Sequence, residues 1–168
     1  MQQKQNHFPL FVAGSILIGM GFAALFDGII LHKILQWHHL LSSAYPLVNP
    51  ENIALNLLWD QAFLAAGYVI FVTGLIILFW SVWQGNLINL SPTFFGCLLI
   101  GFGKFNLVEG VVNHYILGIH HVKSGQHQAA WDLGFLLINA ILASWGWLLF
   151  NAEIQASQIH DEPLTVEH

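Results

Sequence analysis

The chain has 168 residues, 56% of them hydrophobic and 8% charged, with a mean hydropathy of +0.64. A soluble domain carries about 25% charged residues, so this chain cannot cover a water-facing surface and most of it must face lipid. Its basic residues are four lysines with no arginine, which excludes a nucleic-acid-binding surface. The net charge of −5 says little about the surface, because Asp27, Asp60, Glu109 and Asp132 lie inside apolar stretches.

Four apolar stretches, 8–37, 53–83, 94–119 and 129–150, are each long enough to cross a bilayer, which takes about 20 residues. The first is too long for the apolar region of a cleaved signal and has only Lys4 before it. Trp37, Trp59, Trp80, Trp83, Trp131, Trp145 and Trp147 lie towards the stretch ends, as expected of rings at headgroup depth. The connections 42–52, 84–92 and 122–128 carry Asn, Pro, Ser and Gly. The lone Cys97 sits in an apolar run and reads as packing. The expectation is an all-α, four-helix transmembrane domain over 1–152, followed by a polar, mobile tail over 153–168. The tail histidines and acids read as solvated.

The sequence repeats itself. Shifted by 82, residues 19–39 fall on 101–121, with Gly19/Gly101, Gly21/Gly103, Gly28/Gly110, His32/His114, Ile34/Ile116, Leu35/Leu117, His38/His120 and His39/His121 identical and Asp27 opposite Glu109. At a shift of 72, Trp59-Asp60 and Phe63-Leu64 return as Trp131-Asp132 and Phe135-Leu136. The bundle therefore reads as two parallel-repeat helical hairpins, one over about 8–83 and one over about 94–150, related by an axis along the membrane normal.

An ionisable group inside a span costs about 2.5–3.5 kcal/mol and is a functional candidate by default. Counting at 1.5 Å per residue puts His32, Asp60, His114 and Asp132 in one layer roughly 10 Å deep, with Asp27 and Glu109 about 7.5 Å deeper as a second shell or proton path. At helical rotation His32 shares a face with His39, and Asp27 with His38; His114/His121 and Glu109/His120 match them. The candidate metal ligands are thus His32, His39, Asp60, His114, His121 and Asp132, with Asp27, Glu109, His38 and His120 beside them, on the pattern by which bundles build metal sites. Imidazole and carboxylate without sulfur favour Zn, Fe, Mn or Cu(II), as one ion or two. Two other readings use the same residues: a proton-coupled transporter or relay through the intramembrane acids, and a haem held between His32 and His114. Lys104, in mid-span, is expected to pair with an acid or with Asn106, and Lys33 to snorkel to the interface.

The stretch from Phe26-Asp27-Gly28 through His32 to Gln36-Trp37-His38-His39, Trp59-Asp60, and Glu109-Gly110 with Asn113-His114 resemble a family of bacterial four-helix membrane proteins of unknown function, over nearly the whole chain up to the tail. The resemblance implies a metal-binding protein of the bacterial inner membrane, with a part in cytochrome oxidase assembly or copper handling and so a respiratory-complex assembly partner. A weaker likeness is to the Asp-and-His metal site in the membrane subunits of particulate methane monooxygenase, whose spacing differs.

Four spans put both termini on one side, and the short N-terminus favours the cytoplasm, so that the histidine-rich ends face the opposite side. The expected function is an integral membrane metal-binding protein, either a redox or hydrolytic enzyme or a metal-handling factor. The sequence leaves a homodimer open.

Overall fold

The computed structural model describes residues 8–84 and 92–161. Helix α1 runs Phe8–Phe26 and continues without a break into a π-helical segment, Asp27–Ile34. Helix α2 covers Pro50–Trp83. Helix α3, Pro92–Gly110, again continues as a π-helix, Val111–Ile116, and α4 covers Gln128–Asp161. No strand occurs among the described residues. All four helices are long and apolar enough to cross a membrane, and side chains such as Phe22, Tyr68, Phe79 and Leu148 point outward, as lipid permits.

The helix ends differ from expectation by a few residues. The first and third spans stop at Ile34 and Ile116, and the second begins at Pro50. There Asn49 caps it by accepting from Asn52 N–H at 2.8 Å, with proline at the first helical position, where no amide partner is needed. Helix α4 carries on past 150 to Asp161. The remaining tail, 162–168, and the connection 85–91 lie outside the described residues.

α1 and α3 sit at the centre and pack on each other, while α2 packs on α1 and α4 on α3. Lipid tails are as apolar as leucine, so close backbone approach has to hold such helices together. At the α1–α3 crossing a Cβ on Gly19 would strike the Leu98 carbonyl, and one on Gly101 would strike the Ile16 carbonyl. Leu98 stands 82 residues after Ile16, as Gly101 does after Gly19, so the crossing looks alike from either helix. A small apolar core of Phe11, Ile18 and Leu78, flanked by Phe71, Phe94 and Leu98, fills one end of the bundle. The buried acids and histidines gather at the other.

Candidate metal centre

The local backbone decides which side chains meet. In an α-helix, residues five apart point about 140° away from each other. The i→i+5 winding of a π-helix brings them round to one face, and Asp27 and His32 are five apart. Leu35 N–H closes that winding on Ile30 O at 2.8 Å, and Trp37 N–H reaches back to Leu31 O at 3.0 Å. The turn between them requires Gln36 at φ +49°. The same bonds recur from Leu117 to Val112 and from Ile119 to Asn113, with Gly118 at φ +59° in the place of Gln36. In both halves the chain therefore doubles back over its own helix end and lays a His-His pair across it.

In the first half, Asp60 on α2 gathers three donors. Its Oδ1 accepts from His32 Nδ1 at 2.9 Å and from Leu40 N–H at 2.9 Å, and its Oδ2 accepts from His39 Nδ1 at 2.6 Å. Asn56, one turn earlier and fully buried, accepts from Leu41 N–H at 3.1 Å and holds the loop down. Behind His32, on the side away from Asp60, Asp27 Oδ2 stands 3.1 Å from His32 Nε2 and Oδ1 stands 3.8 Å from His38 Nε2.

The second half follows the same plan. Asp132 accepts from His121 Nδ1 at 2.7 Å and from Val122 N–H at 2.9 Å, and lies 3.2 Å from His114 Nδ1. Glu109 Oε1 is 3.0 Å from His120 Nε2, and Oε2 is 4.0 Å from His114 Nε2. Two bonds cross between the halves: His38 Nδ1–H donates to Val122 O at 2.9 Å, and His120 Nδ1–H donates to Leu40 O at 3.0 Å.

These partners set the tautomers. A carbonyl only accepts, so Nδ1 of His38 and of His120 must carry hydrogen, and in the neutral rings Nε2 is a bare lone pair. The Asp60 carboxylate fixes His32 in the same way. Burial, with His120 and His32 close by, holds His38 far below the ordinary imidazole range, so its lone pair stays available. In the neutral rings the inward-facing atoms are acceptors facing acceptors; in an imidazolium, Nε2–H of His32 would face Asp27 at 3.1 Å and that of His120 would face Glu109 at 3.0 Å. Asp27 Oδ2 and Nε2 of His32, His38 and His120 are buried without an aligned hydrogen-bond partner, as is His114 Nδ1; the 3.1 Å Asp27–His32 approach is close but poorly directed. Converging lone pairs of this kind could hold a cation. Asp27, His32 and His38 each offer one ligand atom, with all three atoms within 4.8 Å of one another, and Glu109, His114 and His120 form a second such group; in that group the unpartnered inward atom is His120 Nε2, while His114 Nδ1 faces Asp132.

All ten residues singled out in the sequence thus come together at one end of the bundle, with the acids on two sides of the histidines. The acids expected to lie behind, Asp27 and Glu109, face the open lone pairs. Asp60 and Asp132, expected in the ligand layer, bind the far nitrogens of the histidines, and His39 and His121 hang on these carboxylates at the edge of the cluster. Sequence reading missed Asn56, the Leu40 and Val122 carbonyls, and Asn113, which donates to Glu109 Oε1 at 2.9 Å. Lys104 lies on the outer face of α3; Asn106 bonds Asn139 at 2.8 Å instead. Cys97 is buried on α3, away from the histidines.

No curated protein and no solved structure matches the chain. The family of predicted membrane proteins described as DUF2243 matches residues 14–153, four spans and histidine-bearing helix ends included, and the chain belongs to that family.

Proposed function

We propose that this protein is a membrane metalloprotein with a dinuclear His/carboxylate centre, one ion held by Asp27, His32 and His38 and the other by Glu109, His114 and His120. The observation that carries this reading is the set of buried Nε2 atoms of His32, His38 and His120 left without donors while the opposite nitrogen of each ring is turned to an acceptor. Outer carboxylates and carbonyls that orient ligating imidazoles in this way are a regular part of metal sites. Each set offers two imidazoles and one carboxylate, a composition suited to iron or zinc with open positions left for a substrate. Burial of His32, His120 and Asp60 to about 1% exposure favours a resident ion over a cargo in transit, and so favours an enzyme over a delivery factor. The matched contacts at offsets of 82 and 72 support a duplicated hairpin as the origin of the two positions. The centre sits at the end of the bundle opposite both termini, which would face the cytoplasm.

Protons in place of ions would give the relay or transporter reading, which the short Asp27–His32 approach favours. A haem between His32 and His114 finds no room, because the rings run in contact from His32 through His38 and His120 to His114.

The test is elemental analysis with an absorption spectrum on protein purified in mild detergent without affinity-column metal, alongside the His32→Ala/His114→Ala double variant. Bound metal that is lost in the variant is the expected result. Protein that takes up no metal even on reconstitution overturns the reading and leaves the relay.

A further inference from the structure

The two halves differ at one telling place. In the second half Asn113 donates to Glu109 and occupies that carboxylate. The residue 82 positions earlier is Leu31, which has nothing to donate, and Asp27 Oδ2 is left without a hydrogen-bond partner although the residue is only 5% exposed. Leu31 and Asp27 instead line a cavity of about 530 Å³ between α1, α3 and α4, and Glu109 is not in its lining. That volume falls within the range of small-molecule sites, about 300–1,000 Å³. Its walls are largely apolar, with Phe102, Phe135 and Leu142 among them; the amides of Asn106 and Asn139, also in the lining, are bonded to each other at 2.8 Å, and Asn139 donates to Phe135 O at 2.9 Å. Its rim includes Phe26 and Ile138, 44% and 60% exposed at membrane-spanning positions, so it opens towards lipid. Trp37 and Trp131 close the end nearer the polar loops, with the Lys123 ammonium over both rings at 4.9 and 5.4 Å.

We propose that this cavity binds a membrane-dissolved apolar molecule carrying a hydroxyl group (an alcohol, phenol or hydroquinone), whose hydroxyl is directed at the Asp27 end of the centre, and that the Glu109 half is the closed, structural half. The ligand class follows from the lining. An apolar body satisfies the walls, entry from lipid requires solubility there, and the Asp27 carboxylate in the lining, which gives one oxygen to the ligand group and keeps one over, calls for a single donor. The identification of this end with a working ion rests on the dinuclear reading above; the cavity and its hydroxyl preference do not.

The probe is an octanol bearing a diazirine, compared with a diazirine octane of equal length, photolysed on the full-length protein with and without metal and mapped by peptide mass spectrometry. Saturable labelling of the Phe26–Leu31 and 130–142 regions is expected. Octanol should half-saturate at a concentration about tenfold lower than octane, the worth of one charge-assisted hydrogen bond. A Cβ on Gly134, which lines the cavity, meets nothing within 4 Å, so Gly134→Leu fills the space and abolishes labelling with metal content unchanged. Ala62→Leu, at the matching position on α2, leaves labelling intact. Leu31→Asn gives Asp27 the donor that Glu109 already has, and it removes the preference for octanol over octane. Equal, unsaturable labelling by both probes overturns the proposal and makes the cleft a groove for lipid chains. Equal saturable labelling beside Glu109 overturns the asymmetry. Octanol-selective labelling in protein that binds no metal supports the cavity and sinks only the dinuclear reading.

Discussion

The imidazoles of His38 and His120 stack face to face, their centroids 4.6 Å apart and their planes 3° from parallel. Each donates Nδ1–H to a carbonyl of the other half, Val122 or Leu40. The rings therefore join the two halves and, with their other nitrogens, face the two acids. His38→Phe keeps an aromatic ring in the stack but leaves the buried Val122 carbonyl unpaired. A loss of about 1–3 kcal/mol is expected, and denaturant unfolding of metal-free protein in detergent measures it. An unchanged midpoint would mean that the crossing bond contributes nothing.

Asp60 acts on His32 from behind. Asp60→Asn keeps the shape but replaces one charged oxygen with an amide, weakening the hold on the His32 tautomer. Metal affinity is expected to fall about 10–100-fold with the number of ions unchanged, read by competition with a chelator of known affinity. Asp132→Asn should behave alike. Loss of an entire equivalent in either variant would make these carboxylates ligands, not orienting groups.

How much of this could be read in the sequence follows from which forces leave a pattern. Hydropathy marks the four spans because lipid imposes it residue by residue, and the recurrence of His32, His38 and His39 with Asp60 at His114, His120, His121 and Asp132 marks the cluster. Which carboxylate faces the open nitrogens was not legible. That depends on the π-winding at Asp27–Ile34, and nothing in the composition of DGIILHKI distinguishes i→i+5 from i→i+4 bonding. The bonds from His38 to Val122 and from His120 to Leu40 were hidden for another reason: their acceptors are backbone carbonyls, which carry no side-chain signature. The Leu31/Asn113 mismatch stands in plain view at the 82-residue offset, yet it means something only once Asn113 is seen on Glu109.

Gln36 turns the chain out of its helix at φ +49°, a left-handed conformation that costs a residue with a side chain roughly 1–2 kcal/mol relative to glycine. Gly118 makes the matching turn without that cost. Gln36→Gly is expected to raise stability by about 1 kcal/mol, seen as a higher midpoint in thermal or denaturant unfolding. A lower midpoint would show that the Gln36 side chain holds the loop.

Metal-free protein should weaken in acid partly through His38. Burial, and the His120 and His32 rings beside it, keep this imidazole neutral far below its ordinary range. Below about pH 6.5 the unfolded chain takes up a proton here that the native protein does not, so stability falls as pH drops through that value and is indifferent to His38 above it. Between about pH 8 and about pH 5 this residue accounts for about 2 kcal/mol. The slope should flatten by that amount in His38→Phe; equal slopes in the two proteins would assign the acid sensitivity elsewhere.

The central claim, two ions on two three-residue sets, is tested most directly by counting metal in wild type, Asp27→Ala, Glu109→Ala and the double variant, all reconstituted with iron or zinc. The account predicts about two equivalents in wild type, one in each single variant and none in the double variant, following the two separate ligand groups. Two equivalents in the double variant, or a single equivalent in wild type that either substitution removes, would contradict it.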